Sequence, residues 1–360
     1  MADTRIAGAV RAALASVDIP GGGRLADYDG LSEIIVTQGA VALAISVAPG
    51  MEAAFGPARV AAQAAAERAA EGRKVMVSVT SDRKPAAPSG GHSHAPTRGV
   101  PEKAAVPGVR HIIAVGSGKG GVGKSTVSVN LALALAAEGL RVGLLDADLY
   151  GPSIPRLLGL EGKPAVREDG VFSPHAAYGL KAISIGSMLT PDQAVVWRGP
   201  MATSALRQLL RETDWGTLDV LVVDLPPGTG DIQISLVQQV PLAGAVIVST
   251  PQDLALIDAK KAIDMFRRTQ IPMLGLVENM SYFVAPDTGQ RYDIFGHGGA
   301  RRAASDLGLP FLGEIPLRMT IRETSDAGTP VVAGAPEGEE ARPFREIARA
   351  ILSARADLRA

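Results

Sequence analysis

His111-Ile-Ile-Ala-Val-Gly-Ser-Gly-Lys-Gly-Gly-Val-Gly-Lys-Ser-Thr126 decides the fold of this chain. An apolar run suited to a buried strand enters a glycine-rich loop, and a stretch rich in Leu and Ala then continues as a helix. The glycines let successive backbone N–H groups turn inward around an anion. A helix beginning near Lys124 adds the positive end of its dipole. Lys124 is placed to reach the β- and γ-phosphates of ATP, and the Ser125 hydroxyl to ligate Mg²⁺. The candidate nucleotide-binding set is Gly118, Lys119, Gly120, Gly121, Val122, Gly123, Lys124, Ser125 and Thr126.

Outward from this loop, apolar runs at 111–116, 141–146, 220–224, 243–250, 271–278 and 311–314 are separated by helical stretches. Continuous apolar strands alternating with helices imply an α/β fold, a mostly parallel sheet with helices on both faces. Ligands in such folds bind at the carboxyl ends of the strands. Two acidic segments fall there. Asp224 ends the run 220–224 and suits the metal side of the site, reaching Mg²⁺ through water. Asp148, in Asp146-Ala-Asp148, suits the positioning of an attacking water. Asp146 fits equally a second site carboxylate or a helix N-cap. Lys119, Lys124 and Asp148 form the candidate catalytic set.

The chain has 360 residues, 46% hydrophobic and 20% charged, which suits one large domain and a smaller module. Residues 1–82 read as a small α/β domain in the order helix, strand, strand, helix, strand. Residues 83–109 are rich in Pro, Gly and Ser and read as a flexible linker, in which His92 and His94 are solvated rather than metal-binding. Residues 110–360 form the large domain. A net charge of −1 gives no global reason to expect nucleic acid as a partner. No apolar run approaches the ~20 residues of a membrane-spanning helix, so stable membrane insertion is not expected, and the opening residues, a mixed amphipathic stretch, give no reason to expect a targeting signal. The expected location is cytoplasmic. There is no cysteine, which excludes disulfides and thiolate ligands.

Lys119 sharpens the reading. Lys-Gly-Gly-Val-Gly-Lys-Ser resembles the two-lysine phosphate loop of the MinD/ParA and nitrogenase-iron-protein class, in which the first lysine crosses a nucleotide-sandwich dimer. Asp146-Ala-Asp-Leu-Tyr-Gly-Pro-Ser, Arg198-Gly-Pro-Met, Asp224-Leu-Pro-Pro-Gly-Thr-Gly-Asp, Ser249-Thr-Pro-Gln, Glu278-Asn-Met-Ser-Tyr-Phe and Asp293-Ile-Phe-Gly-His-Gly-Gly-Ala resemble the Mrp/ApbC iron–sulfur cluster carrier ATPases. The likeness covers residues 110–352. Residues 1–82 resemble the MIP18-like module often fused before that domain. The resemblance implies ATP hydrolysis, a homodimer, and client iron–sulfur proteins or cluster-assembly factors as partners. It also implies a contact between Asn279 and the adenine ring.

One segment departs from that pattern. Cluster-bearing members place Cys-Pro-x-Cys after Ser-Tyr-Phe, two thiolates from each subunit holding one cluster. Here Ala285 and Thr288 stand at those positions. Neither is a ligand for an iron–sulfur cluster, so a bridging cluster is not expected. Asp287, Asp293 and His297 lie nearby and read as loop residues rather than metal ligands. The competing function is a MinD/ParA-like positioning ATPase on membrane or DNA. For that, the spacing of Phe344, Ile347, Ile351 and Leu352 offers a membrane-surface helix; packing on the sheet is the favoured alternative. A cluster-dependent reductase is excluded by composition.

Overall fold

The computed structural model describes residues 2–36, 40–48, 51, 54–81, 104–149, 151–188 and 199–359. Most of the expected linker, with His92 and His94, falls outside them, as does Arg198. Two units are present, Met1–Arg98 and Gly99–Ala360.

In the first unit, α1 (Ala2–Leu14), β1 (Ile35–Val36), β2 (Ala40–Val47), α2 (Gly56–Ala69) and β3 (Lys74–Ser81) follow one another. Strand β2 is central, antiparallel to β1 and parallel to β3. Its alternate residues Val41, Leu43, Ile45 and Val47 share a core with Val75 and Val77. Val10 and Leu14 of α1 and Ala62, Ala65 and Ala66 of α2 cover it, so both helices lie on one face. Gln63 of α2 donates to Val75 O (2.7 Å) and accepts from Val77 N (3.1 Å), satisfying the outer edge of β3.

The second unit begins with β4 (Val109–Ser117), α3 (Lys124–Ala137), β5 (Val142–Asp146) and α4 (Ile154–Leu157). Four short strands follow: β6 (Ala165–Val166), β7 (Phe172–Ser173), β8 (His175–Ala177) and β9 (Leu180–Ser184). Next come α5 (Gly199–Arg211), β10 (Leu218–Asp224), α6 (Asp231–Gln239), β11 (Gly244–Ser249), α7 (Asp253–Arg268) and β12 (Met273–Val284). The unit ends with β13 (Arg291–Tyr292), α8 (Gly299–Asp306), β14 (Phe311–Leu317), α9 (Met319–Asp326), α10 (Val331–Gly334) and α11 (Arg342–Ala354).

Its main sheet runs β13-β12-β11-β4-β10-β5-β9-β8, with β14 also on β12. All pairings are parallel except β12 with β13 and β8 with β9. Alternation along each strand divides the core between two faces. Ile112, Ala114, Leu221 and Val223 face α5–α8, whereas Ile113, Val115, Val220 and Val222 face α3, α10 and α11. Burial on both sides is why these strands read as unbroken apolar runs. The six expected strands are all present, and β12 continues past residue 278 to Val284. Strand β9 was not anticipated: its short run Leu-Lys-Ala-Ile-Ser carries a lysine and lacks the length of the others.

Candidate functional site

The phosphate loop leaves the central strand β4 and enters α3 at Lys124. Two glycines there are required by sterics. A Cβ on Gly118 would stand 2.1 Å from the Asp258 carbonyl carbon of α7. Gly123 has φ 78°, and its Cβ would stand 2.2 Å from Asn279 Nδ2.

Parallel pairing sets Asp224, at the end of β10, level with Val115 of β4 and Asp146 of β5. Lys124 is buried, its Nζ 2.8 Å from Asp224 Oδ1 and 3.8 Å from Asp148 Oδ2. Ser125 Oγ donates to Asp224 Oδ2 at 2.6 Å, and Ser128 Oγ donates to Oδ1 at 2.6 Å. The structure thus brings Lys124, Ser125, Asp148 and Asp224 to one point. Ser128 was missed in the sequence, although it lies one helical turn after Lys124, where side chains share a face.

Asp146 takes the structural alternative considered for it. Its fully buried carboxylate accepts from Asp148 N (3.1 Å), Ile154 N (3.1 Å) and Ser184 Oγ (2.9 Å). It therefore ties down the segment that carries Asp148 and caps α4. Burial, then the nearby charge of Asp224, pushes its pKa up to about 7.

Lys119 is half-buried, with Nζ 3.5 Å from Gln252 Oε1 just before α7. On the first turns of α7, Leu254 and Ile257 are exposed (73% and 52%). Asn279 is buried and donates through Nδ2 to Val122 O at 2.8 Å, so its amide braces the loop from beneath. The cleft over the loop holds about 640 Å³, within the size range of small-ligand sites. Its far walls include Ser153, Arg156, Pro227 and Asp326.

The donor set fits Mg²⁺: Ser125 Oγ and Asp224 Oδ2 are hard oxygen ligands that converge within 2.6 Å. An iron–sulfur cluster does not fit. Ala285 is buried, Thr288 is exposed, and neither carries sulfur. The turn they occupy is closed by Ala285 N to Gln290 O (2.9 Å) and Gly289 N to Ala285 O (2.8 Å). Asp287 Oδ1 accepts from Thr288 N, and Asp293 pairs with Arg291 at 2.9 Å. His297 Nε2 lies 3.0 Å from Glu314, which with Glu278 makes the one His/carboxylate cluster among the described residues. Glu278 is already saturated by donors from Ser281, Gly298 and Ala300.

Phe344, Ile347, Ile351 and Leu352 of α11 are buried in the core shared with α3, so none of the four is available to a membrane surface. Among the described residues no helix is long and apolar enough to cross a membrane.

Comparison with known proteins agrees with this architecture. The profile of the ParA family described as NUBPL iron-transfer P-loop NTPase matches residues 108–352. An iron-sulfur cluster carrier protein of Deinococcus radiodurans is 56% identical over 248 residues, 69% of this chain and 70% of that protein. The mouse iron-sulfur cluster transfer protein NUBPL is 51% identical over 258 residues, 71% of this chain and 81% of that protein. Among solved structures, a nucleotide-binding protein from Archaeoglobus fulgidus in complex with ADP is 41% identical, with TM-score 0.58 over 66% of this chain and 93% of that one. The cell-division ATPase MinD of Pyrococcus furiosus, 23% identical with TM-score 0.52 over 68% of this chain and 99% of that one, shares the fold. This chain belongs to the ParA/NUBPL family of iron–sulfur cluster carrier P-loop NTPases.

Proposed function

We propose that this protein binds and hydrolyses ATP with Mg²⁺ as a nucleotide-switched homodimer in iron–sulfur protein maturation, without holding a bridging cluster on its own residues. The observation that carries the reading is the buried constellation of Lys124, Ser125, Asp148 and Asp224 directly beneath the glycine loop. Relatives named as iron–sulfur carriers support the biological setting, which would be cytoplasmic.

Lys124 exchanges its carboxylate partners for the β- and γ-phosphate oxygens, aided by backbone N–H groups of residues 120–125 and the N-terminus of α3. Ser125, and Asp224 through water, would hold Mg²⁺, which would supply positive charge against those oxygens. Asp148, fixed through the Asp146 carboxylate, orients the attacking water. Asn279 braces the loop and stands at the adenine side. Lys119 reaches the partner's phosphates in the dimer and offsets charge developing on the transferred phosphoryl group. The exposed Leu254 and Ile257, beside the Lys119–Gln252 contact, give the second copy an apolar face to cover. The unit before the ATPase is read as MIP18-like and accessory. Without thiolates at 285 and 288, the role toward clients is that of an adaptor working with another cluster carrier.

The test is phosphate release measured alongside light scattering with ADP or a non-hydrolysable ATP analogue. Turnover together with analogue-dependent dimerisation is expected, and a nucleotide-independent monomer without turnover would overturn the reading. The MinD/ParA-like positioning alternative has the fold in its favour but not the terminal helix, whose apolar face is buried. ATP-dependent pelleting with liposomes or DNA would restore it.

A further inference from the structure

Strand β12 does not run straight from the phosphate loop to the hairpin at 285–290. Glu278 and Asn279 pair with Glu314 and Ile315 on β14, and the next paired position is Phe283 with Leu317. Four steps on β12 therefore match two on β14, a bulge. Met280 lies inside it at φ 55°, where a side chain with a Cβ is strained.

Three sets of contacts hold this bulge. Before it, Asn279 Nδ2 donates to Val122 O of the phosphate loop at 2.8 Å. Across it, Ser281 Oγ donates to Glu278 Oε1 at 2.6 Å. From the side, Gly298 N and Ala300 N, at the start of α8, donate to the same carboxylate at 2.9 and 2.7 Å. Glu278 and Ser281 are both fully buried. At the far end of the bulge, Tyr282 meets His297 edge-on at 6.3 Å and lies under the Arg291 guanidinium at 4.0 Å. Arg291 opens β13, the returning arm of the hairpin.

We propose that Glu278 and Ser281 are positioning residues that fix this bulge, holding Asn279 on the phosphate loop and tying the 285–290 hairpin to what the loop binds. The proposal rests on the nucleotide reading of that loop. Phosphate ligation acts on the backbone around Gly123, and the adjoining Val122 carbonyl is the atom Asn279 grips. Strain at Met280 gives the bulge another geometry to relax toward, and the Glu278–Ser281 bond decides whether it does. Coupling of this kind needs no thiolate. It makes the hairpin, with exposed Tyr292 and Ile294 beside it, a nucleotide-responsive surface even though Ala285 and Thr288 cannot hold a cluster.

Hydrogen exchange on the full chain, with and without ADP or a non-hydrolysable ATP analogue and Mg²⁺, tests this, with calorimetry to measure binding. In the wild type, saturating nucleotide should slow exchange in the 282–291 peptide by about threefold or more. In Ser281→Ala, nucleotide affinity should stay within about threefold while the hairpin response falls to roughly a third or less. Ser281→Thr, which keeps the hydroxyl, should restore it. Glu278→Gln should act in the same direction and more strongly, and Ser281→Ala keeps the test readable if that variant fails to fold. A wild-type hairpin that ignores bound nucleotide, or a Ser281→Ala hairpin that responds like wild type, overturns the inference alone. A wild type that binds no nucleotide overturns the proposed function and this inference with it.

Discussion

Replacing Lys124 probes two things at once, and the structure separates them. Its ammonium is buried beside Asp224, which is completely buried, at 2.8 Å. Removing the lysine leaves that carboxylate with only the Ser125 and Ser128 hydroxyls and with Asp146 close by. Breaking one side of a buried pair costs about 3–5 kcal/mol, because the remaining charge is desolvated without compensation. Lys124→Met should therefore lose turnover and also lose that much stability, a large share of the ~5–15 kcal/mol typical of a domain. With a urea m-value of about 3 kcal/mol/M, the unfolding midpoint should fall by about 1–1.7 M. Adding Asp224→Asn removes the orphaned charge, so the double variant should recover most of the midpoint while staying inactive. Urea titrations followed by circular dichroism, with phosphate release on the same samples, give both readouts. A Lys124→Met midpoint within about 0.3 M of wild type would refute the buried-pair reasoning. Wild-type-like hydrolysis by either variant would refute the catalytic assignment of the loop.

Lys119→Ala should keep nucleotide binding within a few-fold and reduce both turnover and analogue-dependent dimerisation; unchanged turnover would remove the cross-dimer role. Gly123→Ala must place a Cβ at φ 78° against Asn279, which costs about 1–2 kcal/mol in backbone strain alone and should weaken nucleotide binding roughly tenfold or more by calorimetry. Asp219, at the opposite end of the sheet, accepts from Arg141 N (2.9 Å) and from the Arg141 guanidinium (2.7 Å), and chiefly that side-chain bond holds its pKa at about 2. A folded pKa below the unfolded value stabilises above ~pH 4 and is lost as pH falls toward 2. Because the Arg141 guanidinium and that of Arg110, 3.2 Å from Asp219 Oδ1, are half-exposed and screened, Asp219→Asn should cost only about 1–2 kcal/mol at pH 7 and little below ~pH 2 in urea titrations. Anaerobic incubation with iron and sulfide should give no stoichiometric chromophore. The pair Ala285→Cys and Thr288→Cys should give one, since two backbone bonds close the turn and only the long Gln290 N to Thr288 Oγ1 bond (3.3 Å) would be lost.

The sequence made the six parallel strands legible because strands buried on both faces leave long apolar runs, and glycine with lysine marks a phosphate loop unambiguously. Short pieces were not legible. The antiparallel strands β8 and β13 have three and two residues, too few for any period to show. Side-chain pairing across distant elements was hidden for a different reason. That Asp146 serves as an anchor follows from its level with Asp224 across β5 and β10 and from Ser184 on the unforeseen β9. Likewise, Asn279 could be placed near the nucleotide by resemblance. Its grip on the Val122 carbonyl joins residues 157 positions apart, next to a bulge that alternation of apolar residues cannot reveal.

The same bulge bears on how a chain without cysteine belongs among cluster carriers. Thiolates at 285 and 288 would add a ligand set at the tip of the hairpin, where those two side chains make one hydrogen bond, from Gln290 N to Thr288 Oγ1 at 3.3 Å. Tyr282, Arg291, His297 and Glu278 set its base, and backbone bonds close its turn. The absence of sulfur therefore removes cluster ligation and, under the coupling proposed above, leaves the connection to the phosphate loop in place. On the proposed function, a carrier divides into a nucleotide-driven frame and a ligand pair mounted on it, and this protein would keep the first without the second.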